Sequence, residues 1–213
     1  MIPVFSGLIR TGLIPLPLAA LGAAPATANP LLWYVTRAAA VSAYITLTVT
    51  VILGMARARA RVTSTRVSWM LDEVHQFLAV LVAAFVGLHL LSLLFDPLIP
   101  FAPLNLLVPL DQPYRPFAVD LGVLAVYGLV IVLGSSWLRR RIAYATWRTL
   151  HYTSFAVFAL VTLHGILAGS DAGQPWMRLV YLVAGGLVGL LVFLRMFWPQ
   201  DQPSQPVSAR RPV

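Results

Sequence analysis

The sequence predicts an all-α, polytopic membrane helix bundle, and three observations carry that reading. Of 213 residues, 59% are hydrophobic and only 10% are charged, with a mean hydropathy of +0.83; soluble globular chains carry about 25% charged residues. Five apolar segments are each long enough to cross a bilayer, which takes about 20 residues of helix. The six tryptophans, Trp33, Trp69, Trp137, Trp147, Trp176 and Trp198, all fall near segment ends, where amphipathic rings anchor at the membrane interface. Hydrocarbon offers no water to backbone groups, so such segments fold as helices, and the short alternating segments of a β-barrel are missing. A soluble domain, a disordered chain and a coiled coil are excluded. The absence of Cys further excludes disulfides, iron–sulfur clusters, thiolate metal sites and thioether-linked haem.

Residues 1–30 are the least regular part. Their apolar stretch is interrupted by Arg10, Pro15 and Pro17. It is expected to form a sixth, irregular membrane segment, with a cleaved signal as the alternative because Ala26-Thr27-Ala28 resembles a signal-peptidase site. The first full span is expected over residues 31–56. The second, over 74–95, follows Ser68 as a helix cap, with Asp72 and Glu73 complementing the dipole. The third covers 117–137 with Asp120 near its start, and the fourth covers 149–170. The fifth covers 177–198, with Arg178 and Arg195 near its ends, where the guanidinium can snorkel to the interface. Gly185, Gly186 and Gly189 lie inside it and are expected to allow close helix packing. The connection over 96–116 holds Pro97, Pro100, Pro103, Pro109, Pro113 and Pro116; it is expected to be non-helical and to lie over the outer ends of the helices. Residues 199–213 are rich in Pro and Gln and read as a disordered cytoplasmic tail. The division is therefore 1–30, a bundle over 31–198, and a tail.

Charge sets the orientation. Arg57, Arg59, Arg61 and Arg66 follow the first span, Arg139, Arg140, Arg141 and Arg148 follow the third, and Arg195, Arg210 and Arg211 follow or close the fifth. The other side holds Arg37, Arg115 and Arg178 among Asp96, Asp111, Asp120 and Asp171. The positive-inside rule places the Arg-rich side and the C-terminus in the cytoplasm, and the expected location is the bacterial inner (plasma) membrane. The net charge of +8 is thus a topology signal, and no nucleic-acid partner is expected.

The four histidines, His75, His89, His151 and His164, fall two on the second span and two on the fourth. For a lone histidine in a bundle an interhelical hydrogen bond is the plain reading. Two matched pairs point further, because ionisable groups inside a membrane are expensive and mark function. His75 and His89 are about 21 Å apart along a helix and about 40° apart around it; His151 and His164 are about 19.5 Å apart but about 140° apart in azimuth. The fourth helix is therefore expected to be locally overwound, or the two cofactor planes to differ in rotation. Both spans run in the same direction, so His75 faces His151 at cytoplasmic depth and His89 faces His164 at outer depth. A bis-imidazole pair across two helices is an axial ligand set for haem iron. Zinc would require more protein ligands in a compact cluster.

These residues resemble the ferric-reductase-like transmembrane domain family, which includes ferric reductases, NADPH oxidases and the haem membrane subunit of the bacterial periplasmic methionine-sulfoxide reductase system. The resemblance covers about residues 31–198. It rests on Trp33-Tyr-Val-Thr-Arg-Ala38, the His75/His89 pair, Trp147-Arg-Thr-Leu-His-Tyr152 and Leu163-His-Gly165, including the spacing of the histidines. It implies two b-type haems between the His-bearing helices and electron transfer across the membrane. The family usually has six helices, and the interrupted first segment departs from that.

A second departure concerns the donor. The oxidases and eukaryotic ferric reductases continue into a flavin- and nicotinamide-binding region, and no G-x-G-x-x-G turn in a βαβ context occurs here. The expected role is that of an electron-transfer subunit with a separate donor, either a cytoplasmic flavoprotein carrying the flavin or a membrane quinol. The acceptor would be an outer-face protein or a small molecule. The alternatives are a self-sufficient reductase of ferric chelates or oxygen at the outer face, and a non-catalytic accessory subunit. Haem carboxylates favour arginine: Arg37 and Arg178 are candidates at the outer haem, Arg66 and Arg148 at the inner one, with topology as the competing role of each. Phe85, Phe155 and Phe158 lie between the two histidine levels, where bundle packing is the favoured role.

Overall fold

A computed structural model describes residues 30–59, 65–97, 101–109 and 112–197. The expected sixth segment, the tail and Trp198 lie outside the described residues. Within them the chain forms six helices, α1 (Leu31–Arg59), α2 (Thr65–Leu94), α3 (Pro103–Leu107), α4 (Pro116–Trp137), α5 (Tyr144–Ala168) and α6 (Pro175–Phe197). All but the short α3 are long and apolar enough to span a membrane. The expected all-α membrane bundle is what the chain adopts.

Two helices begin earlier than hydropathy alone predicts. α2 starts at Thr65, so Ser68 lies in its first turn and is not its cap. Asp72 and Glu73 fall beyond the first turn, where a helix dipole acts. Asp72 instead pairs with Arg57 of α1, tying the two helices together at the Arg-rich end. α5 starts at Tyr144. In both cases the helix runs past the apolar run into polar sequence, because nothing obliges it to end at the hydrocarbon boundary. The proline-rich connection also corrects an expectation: it contains α3, with Pro103 at the first helical position, where a missing N–H and a fixed φ do no harm. The connection does cover the helix ends. Phe101 and Leu106 are buried with Val119 of α4, against Leu90, Leu93 and Leu94 of α2.

Packing is pairwise. α1 lies along α2 and α4 along α5, while α1 also meets α5 and α6. The main core joins Tyr44, Leu47 and Val51 of α1 to Val82, Val157, Phe158, Ala184 and Val188. At its centre the Tyr44 ring stacks on Phe158, 5.9 Å between centroids, and meets Tyr181 edge-on at 5.2 Å. Phe77, Val80, Val130 and Leu182 are exposed on the bundle exterior, as lipid-facing side chains are. The glycines of α6 do not pack as expected: a Cβ at Gly185, Gly186 or Gly189 would meet nothing within 4 Å. The inward-facing residues of α6 are Met177, Ala184 and Val188.

Candidate cofactor site between two histidine helices

The two His-bearing helices, α2 and α5, are not a closely packed pair; each leans on a different neighbour, α1 and α4 respectively. Each histidine is held by that neighbour. His75 Nδ1 lies 3.0 Å from the Thr50 carbonyl and His89 Nδ1 lies 3.1 Å from the Thr36 carbonyl, both on α1. Thr36 and Thr50 repeat the spacing of the two histidines in reverse order, as antiparallel neighbours must. On the other side His164 Nδ1 lies 2.7 Å from the Ala118 carbonyl of α4. A carbonyl oxygen can only accept, so in these three rings Nδ1 carries the proton. Nε2 keeps its lone pair for a metal, the arrangement by which an outer hydrogen bond orients a ligating imidazole.

His151 is held differently. Its Nδ1 lies 3.5 Å from the Ser136 hydroxyl, longer than an ordinary N–H···O bond. Val132 repeats from Ala118 the spacing seen between Thr36 and Thr50, yet its carbonyl accepts from the Ser135 and Ser136 hydroxyls at 3.0 and 2.8 Å. Serine therefore occupies the acceptor that the pattern would offer to His151. Trp147 lies against the same imidazole, with centroids 5.1 Å apart and planes at 26°, and Arg139 lies over Trp147 at 4.8 Å. The buried Trp147 indole N–H has no acceptor among the described residues. α5 is α-helical from Tyr144 to Ala168.

The levels pair as the common direction of α2 and α5 predicts. The His75 and His151 rings are 6.1 Å apart between centroids, at 61°. Two imidazole nitrogens, each about 2 Å from one shared metal, bring ring centroids to about 6 Å. His89 and His164 line one cavity of about 250 Å³ together with Thr36, Arg37, Gly122 and Asp171. Glycines make room for two of the imidazoles: a Cβ at Gly122 would stand 2.8 Å from His164 Cε1, and one at Gly54 would stand 3.1 Å from His75 Cε1. Among the described residues no three or more His, Asp or Glu side chains cluster. The donor set is two nitrogens per level, which suits a cofactor that brings its own equatorial ligands.

The four expected arginines separate. Arg37 lines the His89/His164 cavity, where Asp171 grips it through two bonds, one of them Nε to Oδ2 at 2.8 Å. Its guanidinium also lies 4.2 Å from the Trp33 ring. Arg178 and Arg66 are exposed. Arg148 donates to the Tyr152 hydroxyl at 3.0 Å. Phe158 is a core residue, Phe155 stacks on Tyr152, and Phe85 is half-buried. Sequence reasoning missed Thr36, Thr50, Ala118, Gly54, Gly122 and Ser136. The available signal was the repeated spacing of Thr36 and Thr50.

Comparison with curated proteins and with solved structures finds no match. Residues 39–163 match the family described as ferric reductase like transmembrane component, a stretch that takes in His75, His89 and His151 and ends beside His164. With more than half of its length matched, over the helices that hold these histidines, the chain belongs to the ferric-reductase-like transmembrane family.

Proposed function

We propose that this chain carries electrons across a membrane through two b-type haems, of which His75 and His151 would hold the inner one and His89 and His164 the outer one. It would act as the membrane subunit between a separate donor and a separate acceptor. The observation that supports this most is the shared second bond: three of the four imidazoles spend Nδ1 on a neighbouring backbone carbonyl, which leaves Nε2 for iron.

Haem bound at these positions supplies a reversible one-electron iron couple, tuned by axial ligands and by the polarity around it. The rest is the work of the chain. The carbonyls of Thr36, Thr50 and Ala118 fix three of the four rings and raise their basicity. Aliphatic side chains of α1, α2, α4 and α5 line the His89/His164 cavity and keep its surface mostly apolar. Arg37, held by Asp171, would have its remaining N–H groups available for a haem carboxylate at the His89/His164 cavity, and the Trp147 indole N–H would be a donor of the same kind beside His151. The column Arg139–Trp147–His151 runs from the Arg-rich end to this ligand pair, which supports entry there of electrons from a cytoplasmic flavoprotein or a quinol.

The test is stoichiometric. Full-length chain made with ample haem should hold close to two haems, all released by acid–acetone because no Cys can form a thioether. A ratio near zero refutes the reading. Donor identity is tested separately by stopped-flow reduction. An acidic flavoprotein attracted to the Arg-rich end should slow markedly as salt rises, since the screening length falls to about 10 Å at 0.1 M. A quinol arriving through the membrane should be nearly insensitive to salt.

A further inference from the structure

The Arg-rich ends of α5 and α6 hold an arrangement that electron transfer does not use. Arg148 of α5 and Arg195 of α6 both donate to the Tyr152 hydroxyl oxygen, at 3.0 and 3.1 Å. Both guanidinium carbons also lie over the same Tyr152 ring, at 5.5 and 5.9 Å from its centroid. Two like charges are thus gathered on one neutral oxygen. The ion pairs formed among the described residues belong to Arg37 with Asp171 and Arg57 with Asp72, and neither includes this pair. A phenol oxygen can accept from two donors without neutralising either, and its own O–H stays free to donate. Three donors from two helices therefore converge at the Arg-rich end with no anion supplied by the described residues.

A second observation lies directly below. Between α5 and α6 runs an open, apolar groove lined by Phe155, Phe158, Leu163, Gly185, Gly189 and Val192. Tyr152 stacks on Phe155, the first of these, with centroids 6.3 Å apart. Gly185 and Gly189 leave its floor empty, since a Cβ on either would touch nothing within 4 Å. A cationic clamp at the membrane surface thus continues into an apolar channel in the hydrocarbon region.

We propose that Arg148, Arg195 and Tyr152 bind the phosphate of an anionic membrane phospholipid, whose acyl chain lies in the groove over Gly185 and Gly189. The charge fits the Arg-rich side, where anionic headgroups meet basic pockets between helices. The groove fits a chain and not a solute. Arg148 on this view serves a lipid phosphate, with Tyr152 as its partner in the structure.

The experiment uses the full chain, delipidated in detergent and titrated with dioleoyl phosphatidylglycerol, with native mass spectrometry counting the lipid retained and thermal unfolding as a second readout. One lipid should stay bound. Arg148→Gln with Arg195→Gln should weaken it by about fivefold for each arginine. Gly189→Leu fills the groove and should weaken the diacyl lipid several-fold while leaving the clamp intact. Tyr152→Phe keeps the ring and removes only the hydroxyl; it should give a smaller loss and guards against a double variant that fails to fold. Equal retention by wild type, Tyr152→Phe and Gly189→Leu overturns the proposal. So does inorganic phosphate that raises the unfolding temperature as much as the lipid does, because that outcome makes the clamp a site for a soluble anion.

Discussion

The two histidine levels are built from the same parts and secured unequally. At the His89/His164 level both rings donate to backbone carbonyls, at 3.1 and 2.7 Å, and the paired Arg37 and Asp171 line the cavity. At the His75/His151 level one ring has a carbonyl and the other a distant hydroxyl, with Trp147 and Arg139 stacked on the outside. A carbonyl in a helix cannot rotate away, whereas a serine hydroxyl can choose another partner, and Ser136 already donates to Val132. Of the two, the His89/His164 level is the more firmly held and the His75/His151 level, at the Arg-rich end, the more adjustable.

The largest expected effect tests whether the levels are independent. His89→Ala should abolish one site and lower the haem-to-protein ratio from near two to near one, and His75→Ala should remove the other haem. Extracted haem per chain measures both. A variant that loses both haems, or neither, breaks the comparison.

Next come the glycines beside the rings. Gly122→Ala forces a Cβ within 2.8 Å of His164 Cε1 and Nδ1, whereas Gly54→Ala makes its nearest approach to His75 at 3.1 Å. Overpacking of this kind costs about 1–3 kcal/mol, and Gly122→Ala should sit in that range with Gly54→Ala below it. Thermal unfolding in detergent ranks the two; the reverse order would mean that the outer site is the softer one.

The two ion pairs sharpen the contrast between the ends. Side-chain exposure is 30% and 12% for Arg37 and Asp171, against 38% and 29% for Arg57 and Asp72. Asp171→Asn leaves a guanidinium in a mostly apolar mouth and should cost about 1–2 kcal/mol. Asp72→Asn acts on a more hydrated pair and should cost less than about 1 kcal/mol. Chemical or thermal unfolding of the two variants, side by side, checks the order.

The smallest effect is the most local. Ser136→Ala removes the hydroxyl between His151 and the Val132 carbonyl. It should move the midpoint potential of the inner haem alone, by roughly 20–40 mV, a fraction of the 59 mV that corresponds to a tenfold change in a one-electron equilibrium. A redox titration that finds the outer potential shifted instead would detach Ser136 from His151.

The spans were readable in advance because hydrocarbon demands runs of apolar residues, and few other physical demands are so explicit in sequence. The pairing of histidines was readable for a related reason: alternating Arg-rich and Asp-bearing connections fix the direction of each helix, and direction assigns His75 and His151 to one end. What stayed hidden has a common cause. The groups that hold the rings are backbone carbonyls, and Thr36, Thr50 and Ala118 take that part through atoms every residue possesses. Gly54 and Gly122 could not be told from Gly185 and Gly189, though the first two admit imidazoles and the others border open space. The start of α2 at Thr65 was missed because polar residues such as Asp72 continue a helix once an ion pair to α1 is on offer.

The bond between Arg37 and Asp171 joins positions 134 residues apart, from the beginning of α1 to the turn that leads into α6. During synthesis the chain is laid into the membrane from α1 onward, and α2 and α5 both precede that turn. The walls that α1, α2, α4 and α5 supply are therefore synthesised before Asp171, and Met177 and Tyr181 of α6 complete the lining after it.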